Sequence, residues 1–441
     1  MMAFVAVGVG FAPLAEAADL TVLVAEKGSP AMAAAEQQAD GKAVFAERKI
    51  HKAFDRAAEH LAGCGACTVT IKVAAGTYDG KGKTGQWMFP EVVAPEATLR
   101  ILGGYDEGFK ARAPFTQPSL LLAAEQRSAP VLTFEGKKHA LKELYLSGFV
   151  FDVAPGNKYD ARSNSLLRGS SCTFPILAFG YLTTERLVVA DNVFMNAAQR
   201  GVEPLIRAAS PKTEVIVRNN FIMNNTLAWI VKSASFKNIP GRYVIQGNSF
   251  IVNWPYNPDP STAQPAALEI GNKYTAAQVV IEDNLFAHNV GGAIMPGYDD
   301  KAGPPITIKN NLFFGNGVLF GATDPSTGAV VGKFNRAATH SLYSAEDLED
   351  DFSWSVSGNV SFDPKVPVAL VEPGVVDSHA VHAKKTVLND VRGLFGLNKD
   401  GGRVEIKNFA PRLGIDLGNL PFPAEPKAKA YGVKAERVEQ F

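Results

Sequence analysis

The chain has 441 residues, and its 44 basic residues balance its 44 acidic ones, so that the formal net charge is zero. A neutral chain has no overall basic field, which argues against recruitment by nucleic acid or by an anionic membrane surface. The 40 glycines and 27 phenylalanines, with few long amphipathic runs, favour many short strands joined by turns.

The N-terminal residues form an apolar run that ends at Ala15-Glu-Ala17, an Ala-x-Ala cleavage site. This pattern predicts a secretory signal peptide over residues 1–17, although the basic residues that usually open such a peptide are missing. A buried first strand is the alternative. No other segment has the roughly 18 unbroken apolar residues that span a bilayer. We therefore expect a secreted, periplasmic or cell-surface protein without a transmembrane segment.

Residues 18–66 contain one amphipathic helix, which starts at Ile50 and ends at the glycines Gly63 and Gly65. Its apolar residues recur with helical spacing along one face. They are Ile50, Ala53, Phe54, Ala57, Ala58 and Leu61. The open end of a stack of strands exposes unpaired edges that proteins usually cover. This helix is therefore the predicted N-terminal cap of the strands that follow.

Three cysteines occur, with Cys64 and Cys67 in a C-x-x-C spacing and Cys172 alone. In an exported protein this spacing favours a Cys64–Cys67 disulfide, and free thiols are the alternative. A zinc site would need further thiols or imidazoles at motif spacing, and none accompanies the pair.

Between Leu187 and Asn316 one short phrase recurs five times. Each copy has a β-branched residue three places before an Asn and a Phe two places after it. The copies begin about 27, 29, 36 and 27 residues apart, a period that indicates a repeat architecture. The repeated asparagines are Asn192, Asn219, Asn248, Asn284 and Asn311. Four copies add a second Asn five places later, at Asn224, Asn253, Asn289 and Asn316.

A period of about 27 residues is too short for a strand–helix–strand unit, which needs about 30 or more. Each period is therefore predicted to be one coil of short strands, paired in parallel with the coils about 4.8 Å above and below. Equivalent residues then form columns. The inward aliphatic column would be Val189, Ile216, Ile245, Ile281 and Ile308, and the aromatic one Phe194, Phe221, Phe250, Phe286 and Phe313. The asparagines would turn corners and stack as an amide ladder. The predicted fold class is an all-β parallel β-helix over residues 67–365.

Two long stretches interrupt the repeat, at residues 254–265 and 295–305. Both are rich in proline, which cannot donate to a central strand, so both are predicted to project from the stack. Because each follows the second Asn of its copy, we expect them to leave from related positions and to wall one groove. Beyond Asn316 the phrase weakens to a degraded copy around Asn359. Residues 366–441 are predicted to fold back over the last coil as a C-terminal cap.

Three segments carry a family resemblance: Ala53-Phe-Asp-Arg-Ala-Ala, Ala75-Gly76-Thr-Tyr78 and Leu102-Gly-Gly-Tyr105-Asp-Glu-Gly-Phe109. Together they resemble secreted right-handed parallel β-helix repeat proteins of the pectate-lyase-like superfamily. The closing Ala410-Pro-Arg-Leu-Gly-Ile-Asp416-Leu-Gly418 is similar to the final segment of many of them. The resemblance implies one right-handed solenoid, for which we expect about ten coils. It implies no single activity, because that superfamily includes lyases, epimerases, hydrolases and proteins without a known reaction.

The segment Trp229-Ile-Val-Lys232-Ser233 is similar to the Lys-Ser phrase of alginate and chondroitin lyases of this fold. In those enzymes the Lys removes the proton next to the uronate carboxyl, and an Arg of the next coil assists. Here Glu269 stands where that family has the Arg. Elimination needs a base of lowered pKa and a cation beside the carboxylate. Lys232, helped by Arg218 or Lys273, would supply them; a solvated strand lysine is the alternative.

Other chemistries need carboxylates. Asp299 and Asp300 in a Gly/Pro-rich loop are candidate ligands for calcium as a cofactor, although adjacent loop acids are also commonly just exposed. Hydrolysis uses two carboxyl groups about 5–9.5 Å apart, and neighbouring coils would bring Asp283 near Glu269 or Asp299.

The predicted substrate-binding residues are Trp254, Tyr256, Lys273 and Tyr298. Their aromatic rings beside acids fit stacking on sugars. We expect a groove around Lys232, Trp254, Glu269, Asp283 and Tyr298 that binds or processes a polysaccharide, with a uronate-containing one as the favoured kind. An enzyme of this kind would be a polysaccharide lyase, an epimerase or a glycoside hydrolase. The alternative is a non-catalytic cell-envelope or adhesive scaffold.

Overall fold

The computed structural model describes the following residues: 19–82, 84–124, 129–134, 139–156, 159–160, 165–166, 176–179, 182–197, 202–203, 205–208, 213–226, 229–233, 241–255, 266–270, 278–296, 306–331, 341–351, 354–367, 385–394, 398–400 and 420–441. For 159–160, 165–166, 202–203, 205–208, 229–233, 296, 331 and 351 only the backbone is described. The expected signal peptide and Cys172 lie outside these residues.

Each repeat contributes up to three strands, which stack on their equivalents in three layers called A, B and C. Layer A contains Thr68–Ala74, Val93–Tyr105, Ala140–Ser147, Leu182–Ala190, Glu214–Arg218, Arg242–Gln246, Gln278–Glu282, Ile306–Lys309 and Ser355–Ser357. Layer B contains Gly76–Asp79, Ser119–Leu122, Phe149–Asp152, Val193–Met195, Phe221–Met223, Ser249–Ile251, Leu285–Ala287 and Leu312–Phe314. Layer C contains Trp87–Met88, Leu132–Thr133, Leu177–Ala178, Val202–Glu203, Trp229–Ser233, Leu268–Ile270, Ile294–Pro296 and Val330–Val331.

Within the layers the described neighbouring strands pair in parallel, and layer B alone is a sheet of 8 strands. The short strand Leu205–Ala208 pairs with strands of layers A and C, which join in one sheet. Antiparallel pairing occurs at Tyr159–Asp160 with Ser165–Leu166, and where Leu342–Tyr343 meets layer C. The large parallel sheets are consistent with the predicted parallel β-solenoid.

The interior is built from columns of equivalent side chains. Ile245, Ile281 and Ile308 occupy one register position of layer A. In layer B the rings of Phe250 and Phe286 stack with centroids 4.7 Å apart, and Phe313 continues the stack at 5.2 Å. Because these side chains are fully buried, the columns bury apolar surface continuously along the stack.

The second repeat departs from the predicted columns by one residue. Val217 and Ile222 fill the inward positions expected for Ile216 and Phe221. The predictions for Ile216 and Phe221 were therefore wrong. Phe221 instead faces the other side of layer B, where its ring contacts Phe422 at a centroid distance of 5.0 Å. A one-residue shift moves every side chain of a strand to the opposite face.

The same shift corrects the asparagine ladder, in which Asn220 stands in place of Asn219. Each corner between layers A and B has a residue in the left-handed conformation followed by a ladder Asn. The left-handed residues are Asp191, Asn219, Gly247, Asp283, Asn310 and Gly358, with φ between 53° and 65°. The ladder itself runs through Asn192, Asn220, Asn248, Asn284, Asn311 and Asn359. Two adjacent asparagines were compatible with the sequence pattern, and packing of Val217 and Ile222 selects the second.

A second ladder follows the strands of layer B and runs through Asn225, Asn253, Asn289 and Asn316. Here too the second repeat is shifted, because Asn225 replaces Asn224. Asn224 has φ of 51° and occupies the left-handed position before the ladder.

Two helices lie at the N-terminal end, next to the first strands Leu20–Val24 and Val44–Glu47. Helix α1 spans Pro30–Gln38, and Ser29 caps it by accepting a hydrogen bond from the Met32 nitrogen. Helix α2 spans Ile50–Gly63 and buries the six apolar residues of the predicted face. The ring of Phe54 in α2 lies 5.2 Å from Phe89, which begins an aromatic stack inside layer C. A Cys64–Cys67 disulfide follows α2 directly.

The C-terminal half of the chain adds short helices and an extended segment. Helix α3 spans Asp347–Asp351, and helix α4 spans Lys385–Leu394. Short 3-10 turns occur at Val318–Phe320, Pro426–Ala430 and Ala435–Arg437, and a further one occurs at Ala154–Gly156 in the N-terminal half.

The final residues, 420–441, form a C-terminal strap along the corner between layers A and B. The strap contacts the last coils first, where the Ala424 nitrogen donates to the Lys365 oxygen at 3.2 Å. It then passes Asp283 and Asn219 and reaches Arg112 near the N-terminal end. We expected residues 366–441 to fold over the last coil; within that segment, residues 420–441 run back along the stack. Donors and acceptors at the exposed corner provide the partners that this path requires.

Candidate functional site

The predicted site residues fall into two regions on different sides of a coil. Lys232 and Glu269 belong to neighbouring strands of layer C, whereas Arg218 and Asp283 lie at the corner between layers A and B. The layer A strand Gln278–Glu282 separates layer C from Asp283. Its 5 residues span roughly 16 Å at the usual strand rise. A hydrolytic pair needs its carboxyl groups within about 9.5 Å, so Asp283 and Glu269 do not form one.

The layer C region places Glu269 on the outer face. Leu268 and Ile270 on either side of it are fully buried in the core, so alternation points Glu269 outward, where it is half-buried. Glu269 pairs in register with Ile230 of the preceding strand and Met295 of the following one. Lys232, described by its backbone, lies two residues after Ile230. The parallel pairing therefore brings Lys232 and Glu269 onto adjacent strands.

The two long interruptions leave from opposite ends of layer C, which corrects the expectation that they share one position. The first, whose residues 256–265 are not described, precedes Leu268–Ile270, and the second, 297–305, follows Ile294–Pro296. The difference arises because the third repeat is interrupted before its layer C strand forms, and the fourth afterwards. The first segment therefore comes before the start of one layer C strand, and the second comes after the end of the next layer C strand. Tyr256, Tyr298, Asp299 and Asp300 lie in them, and Lys273 is also outside the described residues.

Trp254 is a core residue, and its predicted role in stacking on sugars is wrong. Its side chain is only 2% exposed, and its indole nitrogen donates to the Asn224 side-chain oxygen at 3.0 Å. It packs in an apolar cluster with Val252 and Val290. A buried indole whose N–H is paired has no face available for a ligand.

Arg218 contacts the C-terminal strap and is not positioned to assist Lys232. Its guanidinium forms an ion pair with Glu439 and donates to the Tyr145 hydroxyl at 2.8 Å. The same hydroxyl donates to Glu439 at 2.6 Å. Burial lowers the pKa of Arg218, but the neighbouring Tyr145, Glu439 and Asp191 outweigh burial and raise it above its ordinary value. Arg218 is therefore a fixed cation.

A cationic cluster at this corner, which we call the seam site, was not foreseen from the sequence. It consists of the four cations Lys72, Arg100, Arg112 and Arg218 together with Tyr145. These residues surround the end of the strap. Its members come from separate coils and from one connecting loop, and they share no motif. The available signal was the alternation of layer A, which points Lys72, Arg100 and Arg218 outward.

Arg112 is the most deeply placed cation of the seam site, with 4% of its surface exposed. It donates to the Gly103 oxygen at 3.0 Å, the Ser147 hydroxyl at 2.7 Å and the Glu439 backbone oxygen at 2.8 Å. Ser147 in turn donates to Asp191 at 2.9 Å. Burial lowers the pKa of Arg112 and raises that of Asp191. Each group offsets part of the burial cost of the other.

Three clefts open at the N-terminal end, with volumes of about 440, 450 and 500 Å³. The 450 Å³ cleft lies beside the start of α2 and has Lys27, Lys49 and Lys81 in its wall. Burial lowers the pKa of His51 in the same wall, and the charges of Lys81 and Lys49 lower it further. None of the predicted site residues lines these three clefts.

Within the described ranges no group of three or more His, Cys, Asp or Glu side chains is arranged to hold a metal ion. No described helix has both the length and the apolar character needed to cross a membrane. Comparison with protein-family models, curated proteins and solved structures finds no match to this chain.

Proposed function

We propose that this chain is an exported parallel β-helix protein that binds a polysaccharide over the outer face of layer C. We further propose that the solenoid is right-handed, has about ten coils, is capped by α2 and belongs with those of the pectate-lyase-like superfamily. The protein would be secreted, periplasmic or attached to the cell surface.

The observation that carries this proposal is the position of the two interruptions relative to Glu269. One precedes the layer C strand that contains Glu269, and the other follows the next strand of the layer. Long segments that leave a rigid scaffold at both sides of one face would form the walls of a groove. Between them Glu269 points outward, and Lys232 lies on the adjacent strand.

The chemistry of this face favours a sugar that carries both hydroxyl and carboxylate groups. A lysine supplies a charge for a uronate carboxylate, and a glutamate accepts hydrogen bonds from sugar hydroxyls. Tyr256 and Tyr298 belong to the proposed walls, where aromatic rings would stack on sugars. As an enzyme the protein would be a polysaccharide lyase, an epimerase or a glycoside hydrolase. A lyase would use Lys232 as the base, but Glu269 stands where known lyases have the assisting Arg, and a carboxylate does not neutralise the carboxylate of a uronate. Binding is the function that requires the fewest further groups.

Affinity electrophoresis in gels containing alginate, polygalacturonate or chondroitin sulfate tests binding. We expect the wild-type protein to be retarded by at least one uronate-containing polymer, and Lys232→Ala and Glu269→Gln to lose most of that retardation. Lys309→Ala is the matched control, because Lys309 lies in layer A and pairs with Glu282. Equal retardation of all three variants would contradict the proposed face. Ultraviolet absorbance from unsaturated product, lost in Lys232→Ala, would identify a lyase.

A non-catalytic scaffold is the second candidate, and one feature of layer A favours it. Glu143, Arg186, Glu214 and Arg242 occupy one register position in successive coils, so that charge alternates along the stack. Arg186 lies 3.0 Å from Glu143, and Arg242 lies 2.7 Å from Glu214. Exposed pairs contribute little individually, but they tie each coil to its neighbours. Absence of both glycan binding and product formation would favour the scaffold.

A further inference from the structure

Two of the clefts at the N-terminal end share part of their walls. We call the one of about 450 Å³ the basic cleft and the one of about 500 Å³ the apolar cleft. His51 and Lys81 line both of them, so the two clefts adjoin. His51 belongs to the first turn of α2, and the Lys81 nitrogen donates to the Gln86 oxygen at 3.1 Å. Each volume falls within the range of roughly 300–1,000 Å³ that small-molecule sites occupy.

The basic cleft collects lysines from three separate segments of the chain. Lys27 follows the strand Leu20–Val24, Lys49 directly precedes α2, and Lys81 lies in the connection between layers B and C. All three residues are exposed. Among the described residues, no carboxylate forms an ion pair with any of these three lysines. Their charges are therefore available to a bound anion.

The acidic residues of the basic cleft do not neutralise it. Glu26 and Asp79 are the carboxylates in its wall. The Glu26 carboxylate accepts a hydrogen bond from the Thr77 nitrogen at 2.6 Å, which holds it against the backbone. A further cation of the wall, Arg48, pairs with Glu36 at 3.1 Å. The three lysines outnumber the two carboxylates, and a cleft lined by an excess of one charge concentrates ions of the opposite sign.

His51 lies where the charges of two of these lysines meet. Burial lowers the pKa of its imidazole, and the charges of Lys81 and Lys49 lower it further. Asp55 acts in the opposite direction and Lys52 in the same one, each by less. An anion bound between Lys49 and Lys81 would offset their effect on His51.

Met88 gives the apolar cleft an exposed apolar surface. Its neighbours Trp87 and Phe89 are buried in the core, so alternation along the strand points Met88 outward, where 54% of its surface is exposed. Pro90 lies in the same wall. An exposed apolar side chain in an otherwise polar cleft offers contact to the apolar face of a bound molecule.

The apolar cleft suits a sugar better than a nucleobase. Phe89, the aromatic residue in its wall, is fully buried and does not offer the ring face on which a base would stack. Thr84, Gln86 and Asp55 supply donors and acceptors of the kind that bind hydroxyl groups. The carboxylate of Asp55 accepts a hydrogen bond from a hydroxyl, whereas it would repel a phosphate in the same cleft.

We propose that the two clefts form one site for an acidic oligosaccharide, whose carboxylate or sulfate group binds between Lys49 and Lys81 and whose adjoining sugar lies against Met88. The strand of Met88 is five pairing steps from that of Glu269 in layer C, which is about 24 Å at the usual strand spacing. The clefts are therefore a second site, independent of the groove proposed at Glu269.

The test follows the imidazole of His51 in the full-length chain. The protein has 7 histidines; each is labelled with carbon-13 at Cε1, and His51→Gln identifies the resonance of His51. The probes are digalacturonate, which carries carboxylates, sulfated lactose, which carries a sulfate, and lactose as the neutral control. We expect at least one acidic probe to shift the His51 resonance saturably and to raise the pKa of His51, because a bound anion favours the charged imidazole. His60, in the last turn of α2, should not respond.

Variants place the anion and the sugar in their separate clefts. Lys49→Ala and Lys81→Ala should each weaken binding of the acidic probe about fivefold or more, because a charge-assisted hydrogen bond is lost. Lys81→Arg keeps the charge and should keep most of the affinity. Lys42→Ala is the matched control, because Lys42 is an exposed lysine outside both clefts. Met88→Ala should weaken binding of the acidic saccharide but not that of inorganic sulfate.

Absence of a saturable His51 shift with both acidic saccharides would overturn the proposal, and so would an equal shift with lactose. A shift with inorganic sulfate but with neither saccharide would mean that the clefts hold only a small anion, which also contradicts a saccharide site. Glu269→Gln should leave the His51 shift unchanged, even where it abolishes retardation in polysaccharide gels. Loss of the His51 shift in Glu269→Gln would show that the clefts are not an independent site.

Discussion

The side-chain oxygen of Asn284 accepts two hydrogen bonds from Asn248, one from its backbone nitrogen at 2.9 Å and one from its side-chain nitrogen at 3.0 Å. The side-chain nitrogen of Asn248 also donates to the Val217 oxygen at 2.9 Å. Each ladder residue thus satisfies groups in the coil on either side of it. Neighbouring coils are joined at the corner as well as along their strands, which makes the ladder cooperative.

Asn284→Ala should therefore be strongly destabilising. It removes the acceptor for both Asn248 donors and the donor to the Ile245 oxygen. Because an unsatisfied buried group costs about 1–3 kcal/mol, we expect the free energy of unfolding to fall by about 3 kcal/mol or more in urea titrations. Asn398→Ala, at an exposed position, should change it by less than about 0.5 kcal/mol. A loss below about 1 kcal/mol at Asn284 would contradict the importance of the ladder.

The aromatic column of layer B should also contribute strongly to stability. Phe286 lies between Phe250 and Phe313, at 4.7 and 5.2 Å, and is fully buried. Truncation of such a ring to alanine costs about 3–5 kcal/mol through lost burial and the cavity left behind. We expect Phe286→Ala to lower the melting temperature far more than Phe314→Ala, a change at a half-buried neighbouring position. Similar shifts for the two variants would show that the column does not dominate the packing.

The strap passes close to the stack at Gly432, which has φ of 73°. A Cβ atom there would collide with the Ser249 hydroxyl and lie 2.9 Å from the Leu285 Cβ. Gly432→Ala should therefore displace the strap and speed trypsin cleavage after Lys434 and Arg437 by about tenfold or more, which corresponds to about 1.4 kcal/mol.

Gly321→Ala is the control for backbone strain in that experiment. Gly321 has φ of 86°, but a Cβ atom there meets nothing within 4 Å. It should leave cleavage of the strap unchanged. Unchanged trypsin cleavage in Gly432→Ala would show that the close approach at Gly432 is not what holds the strap against the stack.

Attachment of the strap should depend on pH through Glu439. Burial raises the pKa of its carboxyl, but the Tyr145 hydroxyl and the Arg218 charge lower it by more, so that the pKa lies below its ordinary value. A lowered pKa stabilises the attached state above the ordinary glutamate pKa of about 4.3, and this contribution is lost as pH falls through the lowered value.

The Val433 and Lys434 amides of the strap donate to the Ser249 hydroxyl and the Asn219 side-chain oxygen. Hydrogen exchange at these two amides, corrected for intrinsic rates, therefore measures how attachment of the strap depends on pH. We expect constant protection from neutral pH to about pH 5 and loss below about pH 4. Glu439→Gln should have weaker protection at neutral pH without this step. A step of the same size in Glu439→Gln would mean that another group causes the pH dependence. The first candidate would be the buried Asp191, because burial raises the pKa of its carboxyl.

The local sequence pattern was sufficient for the repeated parts of the fold. The period of about 27 residues indicates stacked strands, and the helical spacing from Ile50 to Leu61 identifies the buried face of α2. Four of the five predicted ladder asparagines occupy the ladder. The second repeat was misplaced because Asn219 and Asn220 both fit the phrase, and only contact with neighbouring coils distinguishes them.

The candidate site was less predictable, because exposure depends on contacts remote in sequence. Trp254 follows a turn and precedes prolines, a context typical of an exposed aromatic residue, yet packing against Val252 and Val290 buries it. Arg218 and Lys232 are close in sequence, but they belong to different layers of the coil. Residue spacing does not distinguish the sides of a coil when the connections vary in length.

By itself, the sequence determined which side chains repeat, and hence that the chain stacks parallel strands with phenylalanines inside and amides at the corners. This follows because periodic burial and corner chemistry are local properties of each coil. Only the tertiary structure decided the register of the second repeat, the burial of Trp254 and the path of the strap to Arg112. These depend on pairs such as Arg112 and Gln440, 328 residues apart, whose contact no local pattern encodes.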